Sequence, residues 1–170
     1  ILADALTALT VARTLKISDK ISLAALGEYR GAWRRFEESE LKIPLRGFPK
    51  KYSTDRARSP VDAKLKIISD YAHHPTEIAV TLKAVRQKYP KKKICCVFQP
   101  HQYQRTYYLF KDFIKVLSEA LRPNQGKPQI DELILTDIYS VAGRESPAIK
   151  KKVSSKKLIQ AIVKNLKIEN

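Results

Sequence analysis

The chain has 170 residues, enough for one compact domain or parts of two, and its apolar fraction of 44% is ordinary for a globular core. Thirty-three Lys and Arg against seventeen Asp and Glu leave +16, which admits a polyanion partner (nucleic acid, nucleotide or anionic membrane surface) and chooses none of them. The basic residues spread over Lys42 to Lys66, Lys83 to Lys93 and Lys150 to Lys157 without regularly interleaved aromatics, so they read as solvated faces rather than a stacking platform for single strands, and no run of about twenty apolar residues suits a membrane span.

The first residue is Ile1 and there is no methionine, which predicts a segment of a longer chain. Leu2, Leu6, Leu9 and Ala12 fall at helical spacing and predict a helix over 2–15. Ser18 and Asp19 are cap residues for a second helix over 20–29, ending near Gly27. The stretch WRRFEESEL, 33–41, reads as a strand. Residues 44–64 hold three prolines and several basic residues with no sustained periodicity, and read as a linker or surface loop.

From Leu65 the pattern alternates strand and helix. LKIISDY is a short apolar strand, followed by a helix over 75–89 in which Ile78, Leu82, Val85 and Tyr89 form one stripe. Pro75 suits the first helical position and Glu77 the first turn. ICCVF is the next strand. Its neighbouring Cys95 and Cys96 face opposite ways, which suits neither a redox pair nor zinc, so they read as buried thiols of a reducing cytoplasm. A helix over 106–121 turns Leu109, Phe110, Phe113, Ile114, Leu117 and Leu121 inward; ELILTDIY is a third strand, and a Ser-capped helix over 154–166 closes the run. This β-α-β-α-β-α order predicts an α/β fold with a parallel sheet and right-handed crossovers.

In such sheets ligands gather where strands lead into helix N-termini. DYAHHPTE, QPHQYQRT and SVAGRES should emerge together there, and they hold all three histidines: His73, His74 and His101. Helix N-termini attract phosphate and carboxylate and disfavour protonated imidazole. Arg105, one residue before the expected helix start, is a cation at the positive end of the dipole and is better explained with an anion beside it. The plain alternative is that His73 and His74 cap the helix and Arg105 points to solvent. Zinc on the three histidines is disfavoured, since no carboxylate or cysteine pattern completes the site.

At these residues the chain resembles a known family. DYAHHPTEI and FQPHQYQRT look like the paired signatures of the Mur ligases, with WRRFE upstream and LILTDIY and its AGRE loop downstream in the family's order. The resemblance implies a Rossmann-like, mostly parallel sheet with flanking helices as the C-terminal domain over 65–170, incomplete at its end, preceded over 1–43 by the end of the central ATP-binding domain. It implies a cytoplasmic ATP-dependent ligase of peptidoglycan biosynthesis. ATP phosphorylates the muramoyl carboxylate of UDP-N-acetylmuramate, and the L-alanine amine attacks the acyl phosphate, with Mg2+ neutralising phosphate charge.

By position, the resemblance gives Asp70 the ATP ribose and Asp4 a nucleotide contact, while Tyr71, His73, His101 and Arg105 hold alanine and His73 and His74 take the catalytic role. A carboxylate suits a diol and a guanidinium suits a carboxylate. Five departures accompany this: Ile1 and Asp4 stand for an asparagine pair, Ser69 for a second Asp and Gln102 for an Arg, AGRE has one residue more than AGE, and the 44–64 loop is long. The family's Gly-rich phosphate loop with its lysine is absent, so ATP and Mg2+ are expected mainly on parts outside these residues, and the segment alone is expected to be inactive. The competing expectation is a basic noncatalytic α/β module for nucleotide or nucleic acid; membranes are not expected as partners, and nucleic acid is disfavoured.

Overall fold

A computed structural model of the chain describes residues 2–29, 31–43, 63–123, 126–143 and 145–168. Two compact units divide it, Ile1–Ser69 and Asp70–Asn170.

In the first unit, α1 (Leu2–Thr14) and α2 (Asp19–Glu28) pack on each other, and Arg13 bridges them by a two-point bond to Asp19 at 2.9 and 2.8 Å. Ser18 precedes α2 as its N-cap, without a side-chain bond. The apolar stripe expected of α1 is not a buried face among the described residues: Leu6 is 56% exposed.

β1 (Glu37–Ile43) pairs antiparallel with β2 (Ala63–Ser69). This corrects the expectation that β2 would open the parallel sheet. The reason lies in the side chains: β1 is rich in Glu and β2 alternates Lys with Leu and Ile, so the register sets Glu40 opposite Lys66 and Leu41 opposite Leu65, and brings Lys64 Nζ within 3.6 Å of Glu40. Opposite charges and matched apolar residues across a pair favour that ribbon. Ala63 and Lys64, expected in the loop, already belong to β2; the rest of that loop, 44–62, lies outside the described residues.

The second unit is built on β3 (Cys95–Phe98) and β4 (Glu132–Leu135), which run parallel with Cys96 beside Leu133 and Val97 beside Ile134. The ladder continues past the strand ends, where His101 and Tyr139 form an isolated bridge. α3 (Pro75–Lys88) and α7 (Ser155–Ile168) both pack on α5 (Phe110–Leu121). Ile78 and Leu82 from α3, Phe98 from β3, Phe113 and Leu117 from α5, Ile130, and Leu158 and Ile162 from α7 form the core. The stripes expected on α3 and α5 are the buried faces. Ser154 caps α7 as expected, its hydroxyl accepting from Lys157 N–H at 3.2 Å.

Two local differences bear on function. The helix expected from Thr106 is two helices, α4 (Tyr103–Tyr108) and α5, broken at Leu109, and a further short helix α6 (Pro147–Lys152) precedes α7. Cys95 is exposed rather than buried, because the outward face of β3 carries no covering element among the described residues; Cys96 faces in, and burial pushes its thiol up to about 11, with Cys95 adding to the rise.

Candidate functional site

The DYAHHPTE segment is fixed by its own polar groups. His74 is the N-cap of α3, its Nδ1 accepting from Thr76 N–H at 3.3 Å, and Glu77 Oε2 accepts from the backbone N–H of both His73 (3.0 Å) and His74 (3.1 Å). That capping box, with Pro75 at the first helical position, supplies acceptors to donors that a helix start leaves unpaired. Asp70 Oδ1 accepts from Ala72 N–H at 2.7 Å and tightens the turn just ahead of it. His74 therefore has a structural task at its Nδ1, as the plain reading held.

Residues 99–106 are shaped from below. Pro100 is fully buried, and Thr106, with no exposed surface, bonds through both N–H (3.1 Å) and hydroxyl (2.9 Å) to Gln102 O. Gln102 sits at φ 70, ψ 130, a conformation that side chains rarely adopt and that costs on the order of 1–3 kcal/mol. It is held there by Gln102 N–H to Tyr139 O at 2.9 Å and Tyr139 N–H to Pro100 O at 2.8 Å. Arg105 is consequently the third residue of α4 rather than the residue before a helix. Its guanidinium is partly buried and donates to His101 Nδ1 at 3.3 Å.

Three loops meet here. Ring centroids lie 5.2 Å apart for Tyr71 and His73, 6.3 Å for His73 and His101, and 5.2 Å for His101 and Tyr139, the last pair stacked at 15°. One row of rings thus joins the segment before α3, the segment after β3 and the segment after β4. The expected convergence of the loops holds within the second unit, with Tyr71, His73, His101 and Arg105 together and Asp70 adjacent to Tyr71 in the chain. Asp4 lies in the first turn of α1, in the other unit.

The bonds also assign protons. Tyr71 O can only accept, and His73 Nδ1 lies 2.9 Å from it, so neutral His73 carries its proton on Nδ1 and has a lone pair on Nε2. Arg105 can only donate, so His101 Nδ1 is the lone pair and Nε2 bears the proton. Burial first, then the charges of Arg105 and His73, hold the His101 pKa below 6.5, against an opposing pull from Glu145. The rim therefore offers one imidazole acceptor, one imidazole donor and one guanidinium, all without a second cation on His101 near neutrality.

The group that ties the third loop in place is not among the expected site residues. Glu145, 2% exposed at its side chain, accepts from Tyr103 N–H (3.0 Å) and the Ser140 hydroxyl (2.8 Å), with Lys150 Nζ 3.4 Å away. Burial alone would raise its carboxyl, but bonds from Tyr103, Ser140, Val141 and Lys150 together hold it below the ordinary 4.5. Its only signal in the sequence is its place in AGRE. Among the described residues no cluster of three His, Cys, Asp or Glu is placed to hold a metal ion, and no helix is long and apolar enough to cross a membrane.

Comparison with known proteins bears on the same segments. Residues 57–168, more than half of the chain, match the family profile described as Mur ligase, glutamate ligase domain. The chain is 38% identical over 98% of its length to a UDP-N-acetylmuramate–L-alanine ligase of Nitrosomonas eutropha, covering 29% of that protein. It is 40% identical over 95% of its length to the ligase of that name from Clostridium acetobutylicum (28% of that protein) and 42% over 80% to that from Aquifex aeolicus (23%). It thus spans under a third of these curated relatives. A profile match over that much of the sequence, which includes the segments that build the rim, makes this chain a member of the Mur ligase family.

Proposed function

We propose that this chain supplies the amino-acid-holding part of a longer ATP-dependent ligase that joins L-alanine to UDP-N-acetylmuramate in peptidoglycan synthesis. The observation that carries this reading is a guanidinium and two imidazoles from different loops on one rim, with Arg105 3.3 Å from His101 and His73 6.3 Å from His101 between centroids. The reading draws on the relatives named above as well as on that geometry.

Each residue has a task its chemistry suits. The Arg105 fork pairs with the planar carboxylate of the amino acid. His73, protonated at Nδ1, has at Nε2 the lone pair needed to take a proton from an ammonium or orient the amine for attack. His101 steers Arg105 and presents an Nε2–H donor, Tyr71 covers the edge of His73, and the Asp70 carboxylate suits a ribose diol. His74, committed at Nδ1 to the cap of α3, contributes by fixing the direction of its neighbour.

ATP supplies the activation of the acceptor carboxylate. No Gly-rich phosphate loop with its lysine stands in these 170 residues, so the phosphates and their Mg2+ fall mainly to the rest of the longer ligase. Asp4 is assigned to the nucleotide by resemblance alone.

The test is Arg105→Ala in the longer ligase. Loss of a charged hydrogen-bond pair costs about 1.5–3 kcal/mol, so the KM for L-alanine should rise about 10- to 100-fold with the KM for ATP little changed. An unaltered alanine KM would sink the assignment.

A further inference from the structure

Glu145 joins three pieces of backbone through one buried carboxylate. Tyr103 N–H lies at the start of α4, Ser140 and Val141 belong to the loop after β4, and Lys150 lies on α6, where its ammonium also donates to Ser140 Oγ at 2.9 Å and sits 5.3 Å from the centre of the Tyr103 ring. A carboxylate this far out of water persists only where donors replace its hydration. The apolar core of Phe113, Leu117, Leu158 and Ile162 contains no such group and does not require one.

What the carboxylate holds still is the ground on which His101 stands. Tyr139 immediately precedes Ser140, stacks on the His101 ring, and exchanges backbone bonds with Pro100 and Gln102. His101 meets the Tyr139 ring with its face and the Arg105 guanidinium through Nδ1. Moving the Tyr139–Val141 segment would remove the stacked face, and His101 would then have no reason to keep Nδ1 on Arg105.

We infer that Glu145 is a positioning residue for the amino-acid site: by locking residues 139–141 to the N-terminus of α4 it sets the His101 ring against Tyr139 and, through that ring, the direction of the Arg105 guanidinium. The inference rests on the reading of Arg105 as the carboxylate partner only for its consequence in catalysis; its structural content stands apart from that reading.

The full 170-residue chain provides the test, because its only three histidines give three sets of ring nitrogen signals by NMR. In the native chain His101 should be the Nε2–H tautomer and titrate below 6.5. In Glu145→Ala the tautomers should mix and the titration should climb toward 6.5, with the His74 signals unmoved. Loss of the glutamate charge by itself would push His101 further down, so an upward move reports the loosened ring and not the missing charge. Glu145→Asp keeps the charge one methylene short and should give a smaller change of the same kind; if the alanine variant does not fold, the aspartate variant decides. A folded variant that melts earlier while His101 keeps its tautomer and titration overturns the inference, as does a purely downward shift.

In the longer ligase, Glu145→Asp should raise the KM for L-alanine more than it lowers kcat, by up to about 10-fold, since the Arg105 bond is misdirected rather than removed. If Arg105→Ala leaves that KM unchanged while Glu145→Ala moves His101, the alanine reading fails and the positioning stands. If Arg105→Ala raises it while the Glu145 variants move neither KM nor His101, the positioning alone fails.

Discussion

Arg86→Ala should destabilise the second unit without touching the rim. Arg86 leaves the last turn of α3 and reaches Asp131 Oδ2 at 2.7 Å, Lys92 O at 2.8 Å and Gln129 O at 3.3 Å, tying the C-terminus of α3 to the turn before β3 and the segment before β4. The side chains of Arg86 and Asp131 are 13% and 29% exposed, so solvent screens the pair only in part. A charge-assisted bond contributes about 1.5–3 kcal/mol and a bond to a neutral carbonyl about 0.5–1.5, while Asp131 retains its bond from Ile94 N–H at 2.8 Å and is not orphaned. The expected net loss is about 2–4 kcal/mol. With a urea dependence of roughly 1.5–2 kcal/mol per molar, the unfolding midpoint followed by far-UV circular dichroism should fall by about 1–2 M. Arg86→Lys should restore little, since an ammonium cannot span three acceptors set around a fork. The His101 titration should stay as in the native chain, because Arg86 braces the start of β3 and His101 follows its end. A midpoint change below about 0.3 M would contradict this account by showing that water already satisfies these groups.

Removing the Glu77 carboxylate (Glu77→Ala) strips the acceptor shared by His73 and His74 N–H and should cost about 0.5–2 kcal/mol in the same assay, with amide exchange at residues 73 and 74 accelerating first; unchanged exchange there would count against the capping box. A folded-state pKa below 6.5 at His101 means the unfolded chain binds the proton first, so stability is full above about pH 6.5 and falls as acidification approaches the lower folded value. His101→Gln should flatten that part of the stability profile, whereas the fall below about pH 4.5, as Glu145 and Asp131 are protonated and lose the bonds that depress their pKa values, should persist. At pH 8 a small thiol reagent should modify Cys95 in a fast phase and Cys96 slowly, since burial holds the Cys96 thiol at about 11; Cys95→Ser should abolish the fast phase, and its survival would mean the wrong thiol has been placed outside.

Helices with strong apolar stripes are legible from residue spacing. Ile78, Leu82 and Val85 on α3, and Phe113 and Leu117 on α5, fall on the buried faces their spacing predicts, because a period near 3.6 leaves an isolated amphipathic helix few other ways to bury that face. β2 escapes such reasoning for an equally physical cause. Its Leu65, Ile67 and Ile68 fit a parallel sheet as well as a ribbon, and what decides is the acidic strand Glu37–Ile43, distant in sequence, whose Glu40 lies opposite Lys66 and within 3.6 Å of Lys64. The break at Leu109 is hidden too, since Tyr107 through Phe110 carry a continuous aromatic and apolar signal and no proline or glycine marks the break.

The site divides along the same line. The order of residues suffices to pick out the side chains proposed for the site and to show that their loops belong together, because the histidines and Arg105 stand in short motifs where a strand leads into a helix and local capping leaves little freedom. Folding in three dimensions settles what the order leaves open: which imidazole nitrogen holds its proton, that Tyr139 faces His101, and that Glu145 ties α4, α6 and the third loop. The Tyr139 stack and the Glu145 bonds bring together groups dozens of residues apart, while each tautomer follows from which near neighbour its Nδ1 reaches once the backbone is set; a donor or acceptor acquires its partner only when the chain has closed around it.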